Sequence, residues 1–299
     1  MTFWVSKKVL FFFHSLSRKE KIIFFTLFFI FILSSFFILK FFYEELTVKE
    51  PRTGGILKEG FVGFLNFSNP IYNQFREPDG YLNELIFPSL FIYKNGRLTP
   101  SLVENYEISE DGKILTLEIK KNVFWTDEHP LTVDDIIFTI EKIQDPEVKS
   151  PLFPLWTGVR VMKISDYKLQ FTLKHPSLFF LENLTFKILP KHFFEKIPSS
   201  DFFYSANIFL SPSLGPFKIK NFEYSKEGKI VKVELERNEK YFGDKPYLKK
   251  IILYFYPSEE KLLFAFKRGE INAFFYHFDI LKDQRTKKYS FLLPRYFAV

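Results

Sequence analysis

The chain has 299 residues, 46% of them hydrophobic and 26% charged, a balance that supports a folded core and excludes wholesale disorder. It contains no cysteine, which excludes disulfides, thiolate metal sites, cysteine nucleophiles and a lipid-bearing cysteine, so that membrane attachment has to come from the polypeptide itself. The net charge of +7 is spread among alternating signs, seven Lys/Arg against four Asp/Glu in residues 1–50 and 35 against 31 in the rest; without a basic stripe, no nucleic-acid partner is expected. The 42 phenylalanines are scattered over the whole chain, which fits a compositional bias better than one aromatic-lined surface.

Residues 22–39 (IIFFTLFFIFILSSFFIL) form an 18-residue run without charge, the length a membrane-spanning helix needs. Lys40 can snorkel, and Phe41, Phe42 and Tyr43 extend the run into the interface. Lys7, Lys8, Arg18, Lys19 and Lys21 precede it, opposed by Glu20 alone, whereas Glu44, Glu45 and Glu50 follow with Lys49. The positive-inside rule puts the N-terminus in the cytoplasm and the bulk outside. The run exceeds the roughly 7–15 apolar residues of a signal peptide, and no A-x-A-like site follows Leu39. We therefore expect a single-pass anchor in the cell membrane: residues 1–21 a cytoplasmic basic tail, 22–42 the transmembrane segment, and 43–53 a polar linker rich in Pro and Gly.

Beyond the linker the pattern is mixed α/β. Asp111-Gly112 marks a turn, and Leu115, Leu117 and Ile119 then alternate with polar residues as in a half-buried strand. Thr132, with Asp135 three residues on, predicts a capped helix whose stripe is Ile136, Ile137, Ile140 and Ile143, ended by Asp145-Pro146. Tyr167, Leu169, Phe171 and Leu173 alternate as a strand, as do Val231, Val233 and Leu235. Residues 251–256 are continuously apolar, which predicts a strand buried on both faces. Ser258 opens a last helix with the stripe Leu262, Leu263 and Phe266, and Gly269 can supply its left-handed cap.

Catalytic chemistry finds little support. Asp134 and Asp135 sit where a helix start accounts for them, and no base or nucleophile accompanies them. His14, His129, His175, His192 and His277 are isolated in the sequence, with no pair at metal-ligand spacing. No nucleophile-elbow motif is present. Neither an enzyme, a cofactor nor a metal site is expected. Trp125 reads as a core residue rather than a pocket wall.

Five blocks in order carry a likeness. Residues 96–106 (GRLTPSLVENY) place Pro100, Leu102 and Val103 in a P-x-L-A-x-x-W pattern, with Tyr106 for the Trp. Residues 111–146 run Asp111-Gly112-Lys113, Val123, Trp125, Pro130-Leu131-Thr132, Asp134-Asp135-Ile136 and Asp145-Pro146; the usual Gly before the Pro is missing, and Glu128-His129 stand there instead. Leu214-Gly215-Pro216-Phe217 is similar to a G-T-G-P-Y/F turn, with Ser213 and Leu214 for its first Gly and Thr. Residues 237–252 (RNEKYFGDKPYLKKII) are similar to R-N-x-x-Y-W-G-x-K-P-x-L-D-x-I, and residues 266–273 (FKRGEINA) to L-x-x-G-E-I-D-A with Asn272 for Asp. From about residue 54 onward the chain resembles the family 5 extracellular solute-binding proteins, which serve oligopeptide, dipeptide and nickel importers.

The resemblance implies an α/β fold: a transmembrane helix followed by the first lobe, with an inserted subdomain, of a bilobed periplasmic-binding-protein-like fold. Residues 54–85 and 186–299 would form the lobe and 86–185 the insertion. The family's opposite lobe, which holds most of the residues gripping a peptide's charged termini, is expected to lie outside this chain. The candidate ligand-binding residues are then Phe61, Val62 and Gly63, in the segment matching the family's first cleft strand, where a bound peptide would pair as an added strand. Gly215 and Pro216, in the turn near the family's hinge, complete the set. The function implied is solute binding for an ABC importer of short peptides. Its partners would be a peptide or similar small solute, ABC permease subunits in the membrane, and a separately encoded C-terminal lobe. The alternative is a membrane-tethered sensory or interaction protein that uses a single lobe as a docking surface.

Overall fold

The computed structural model describes residues 16–47, 52–65, 69–73, 78–177, 179–203 and 210–274. The chain divides into two compact units, Met1–Arg52 and Thr53–Val299.

Among its described residues the first unit holds one helix, α1 (Arg18–Leu46). Ser17 and Glu20 form a capping box, in which the Ser17 hydroxyl accepts the Glu20 N–H at 3.4 Å and the Glu20 carboxylate accepts the Ser17 N–H at 2.7 Å. At 1.5 Å per residue its 29 residues reach about 44 Å, more than a hydrocarbon core of about 30 Å requires. None of its residues is buried within the protein. By length and composition α1 can cross a membrane.

In chain order the second unit contains β1 (Ile56–Val62), α2 (Asp79–Ile86), β2 (Phe91–Lys94), β3 (Arg97–Pro100), β4 (Val103–Ile108), β5 (Ile114–Ile119) and α3 (Val133–Gln144). There follow β6 (Arg160–Ser165), β7 (Lys168–Thr172), β8 (Phe217–Tyr224), β9 (Ile230–Arg237), β10 (Lys250–Tyr256), α4 (Glu259–Lys267) and β11 (Ala273–Phe274), with short helical turns between them. Among the described residues three sheets result: a mixed five-stranded sheet β11-β1-β10-β9-β8, an antiparallel four-stranded sheet β4-β5-β7-β6, and the ribbon β2-β3.

The sequence pattern explains most of these elements. In β5, Leu115, Leu117 and Ile119 point into the core while Thr116 and Glu118 are half-buried. Thr132 caps α3, and Asp135 closes the predicted capping box, its carboxylate accepting the Thr132 N–H at 3.1 Å. β10 lies between β1 and β9, which accounts for its unbroken apolar run. Ser258 caps α4, and Gly269 follows that helix at φ +74°.

Two packing expectations are corrected. Val231 does not share the core face of Val233 and Leu235. Tyr224 pairs with Ile230 and Glu223 with Lys232, so a β-bulge absorbs Val231 and turns Ile230 inward instead. On α4 the buried residues are Leu262 and Ala265, packed with Ile271, while Leu263 and Phe266 lie at the margin.

Candidate functional site

β1 pairs in parallel with β10 along its whole length and with β11 at Glu59 and Gly60. At Glu59 and Gly60 the strand therefore has no free edge. Phe61 and Val62 lie beyond the β11 pairs and are paired with β10 alone, and Gly63 follows them at the C-terminal end of three parallel strands. Open α/β sheets bind ligands at this end. Phe61 is buried, its ring 5.2 Å from Tyr81 and 6.1 Å from Phe255. Val62 is 41% exposed. Gly63 takes φ +102° and donates its N–H to the Tyr256 carbonyl at 2.8 Å, which turns the chain off the sheet beside Tyr256. Burial, with the Glu270 charge adding to it, pushes the Tyr256 hydroxyl up to about 12.

Glu59 shares the Phe61 face of β1. Burial raises its carboxyl above the ordinary 4.5, opposed by a hydrogen bond with Tyr81. One of its oxygens is buried without a hydrogen bond from the described residues. The folded state therefore holds this proton more tightly than the unfolded chain does, and stability falls as pH rises from 4.5 through the raised value. Glu59→Gln should remove that fall, giving a variant more stable than the parent at pH 8 and equal to it near pH 4. Urea midpoints across that range measure the difference.

Gly215 and Pro216 precede β8. Because β8 runs in the same direction as β1, its first residues lie at the opposite end of the sheet from Val62 and Gly63, roughly 20 Å away along the strands. The structure does not bring the two candidate groups together. Gly215 is buried against the last turn of α2. Its N–H donates to the Ile86 carbonyl at 3.0 Å, and its carbonyl accepts from Asn238 Nδ2 at 3.0 Å. Trp125 is fully buried and belongs to the core, as expected.

Sequence reasoning missed one cluster. His129 and His192, 63 positions apart, stack with ring centroids 4.0 Å apart and planes 14° apart. Asp127 Oδ2 lies 2.8 Å from His192 Nε2 and 3.2 Å from His129 Nδ1. Burial opposes ionisation of Asp127, but hydrogen bonds from His192 and the His129 backbone, with the charges of both rings, hold its carboxyl below the ordinary 3.8.

The turn that carries Asp127 and His129 explains the missing glycine of the motif. Glu128 adopts φ +74°, a left-handed backbone that glycine takes without strain. Its carboxylate pairs with Lys240 at 2.7 Å on the exposed surface, a contact that contributes little. Glu128→Gly should therefore stabilise the fold by about 0.5–1 kcal/mol, read as a higher urea midpoint.

The fold and sheet order define a periplasmic-binding-protein-like α/β protein. Solved structures with this fold include the oligopeptide-binding protein AppA of Bacillus subtilis in complex with a nonapeptide. It is 24% identical with TM-score 0.65, covering 74% of this chain and 44% of that one. The ABC transporter substrate-binding protein CtaP of Listeria monocytogenes is 29% identical with TM-score 0.63, covering 74% and 44%. Among curated relatives, AppA of B. subtilis is 28% identical over 229 residues, 75% of this chain and 41% of the relative. The dipeptide-binding protein of Escherichia coli is 26% identical over 224 residues, 67% and 39%. The family profile of bacterial extracellular solute-binding proteins, family 5 (middle region), matches residues 97–292, and the chain belongs to that family. It spans about two-fifths of the length of these curated relatives.

Proposed function

We propose that the chain is the extracytoplasmic solute-binding component of an ABC importer for short peptides. In this reading α1 is an uncleaved anchor with its N-terminus in the cytoplasm, residues 54–85 and 186–299 form one lobe, and residues 86–185 are its inserted subdomain. The observation that carries the reading is membership of a solute-binding family over residues 97–292. Relatives named for oligopeptide and dipeptide binding support peptides as the solute. So does the C-terminal end of β1, where Val62 is exposed at the end of the strand and Gly63 begins a turn. Phe61 would act there by packing beneath the ligand, and Gly215 and Pro216 by holding the far end of the lobe.

Peptide capture by closure needs a second surface across the cleft. It is accordingly proposed for this chain joined by an opposite lobe and by permease subunits in the membrane. Full-length chain in detergent should be stabilised by a pool of short peptides. Ligand at one hundred times its Kd adds about 2.7 kcal/mol, several degrees in Tm. Stabilisation by sugars instead would redirect the reading to another solute. No shift with any peptide pool, alone or with the opposite lobe added, would remove peptide binding.

A further inference from the structure

We propose that Asp127, His129 and His192 form a binding site for one divalent transition-metal ion of the zinc and nickel class, separate from the strand ends at which a peptide would pair. Among the described residues these three are the group whose ligand atoms converge, all lying within 4.8 Å of one another. The chemistry fits the class. Two imidazole nitrogens and one carboxylate oxygen are a ligand set borderline metals accept, and open positions remain for water because the site is partly exposed.

The two distances to the carboxylate fit as well. Bonds of about 2.0–2.1 Å in a tetrahedral site place neighbouring ligand atoms about 3.3 Å apart. Asp127 Oδ2 lies 2.8 Å from one histidine nitrogen and 3.2 Å from the other. His192 Nε2 hydrogen-bonds that oxygen and His129 Nδ1 lies beside it. Because the two rings stack 14° from parallel, one exposed ring has to rotate for both nitrogens to face one ion, whose binding replaces the shared proton.

The ligands are positioned from beneath. Trp125 N–H donates to the His129 carbonyl at 2.8 Å and closes the turn carrying Asp127 and His129. Asp127 Oδ1 accepts the His129 N–H at 3.3 Å, which leaves Oδ2 facing the two rings. His192 stands on the short helical turn Lys191–Phe194. That turn is tied to the start of α3, because Asp135 Oδ1 accepts the Lys191 N–H at 2.8 Å. Buried Phe194 fixes it to the core. The carboxylate that completes the cap of α3 thus also sets the place of a histidine 57 positions later. Supporting contacts of this kind raise the affinity of metal sites.

The test uses full-length chain in detergent without a polyhistidine tag, freed of metal by a chelator, and titrated with Zn²⁺ and separately with Co²⁺ followed by its visible absorption. The expected result is one Zn²⁺ per chain and a Co²⁺ spectrum that Zn²⁺ abolishes. His129→Ala and Asp127→Asn should each weaken Zn²⁺ binding at least roughly tenfold, and His175→Ala should leave it unchanged. His129 and Asp127 are both partly exposed, so their variants keep the test valid if His192→Ala does not fold. No Zn²⁺ uptake by the parent chain, or undiminished uptake by His129→Ala and Asp127→Asn, overturns the proposal.

Discussion

Gly215→Ala is expected to destabilise the second unit by about 3 kcal/mol, although it adds one methyl group and changes no charge. A Cβ at this position would overlap the Leu85 carbonyl and approach Ile86 Cα to 2.8 Å. Those atoms belong to the last turn of α2, whose Ile86 carbonyl already accepts the N–H groups of Leu214 and Gly215. The helix end cannot retreat without breaking both bonds, so the strain has no cheap release. Asn238 ties down the other side of the turn: its side chain donates to the Gly215 carbonyl and its backbone N–H to the Pro216 carbonyl at 2.9 Å. Against a total stability of about 5–15 kcal/mol the loss is large. Urea unfolding should show a midpoint about 1 M lower. An unchanged midpoint with weakened ligand binding would instead make Gly215 a contact residue.

Trp125→Ala should cost about 3–5 kcal/mol. The indole is fully buried and contributes one of the largest side chains in the core. Its ring also stands edge-on to His192 at 6.4 Å, so that removing it takes away a wall against which that imidazole rests. The substitution should therefore both leave a cavity and loosen the Asp127–His129–His192 cluster. Thermal unfolding measures the first effect. Broadened His129 and His192 imidazole signals in NMR would report the second, whereas Trp156→Ala, at a comparably buried site, should leave those signals sharp.

The local rules were legible because they act over a few residues. Thr132 and Asp135 identify a helix start wherever that helix packs, and residues 251–256 advertise a strand with two covered faces. Motifs separated in the sequence also met in space: the Gly215-Pro216 turn and Asn238, from different blocks, bond directly to each other. What the sequence hid was long-range. Nothing in residues 56–62 says that their partners are 250–256 on one side and 273–274 on the other. The bulge at Val231 depends on the register of a neighbouring strand. The meeting of His129 with His192 depends on the bond from Asp135 to Lys191, which no spacing rule encodes.

The interior place of β1 bears on how the molecule is made. Ile56 pairs with Lys250, 194 positions later, whereas every pair of the four-stranded sheet lies between Val103 and Thr172. At ribosomal rates of about 5–20 residues per second, the first strand waits about 10–40 s for its neighbour to emerge. The smaller sheet can zip up in that interval, while β1 remains a slow, late insertion between two strands not yet synthesised when it leaves the ribosome.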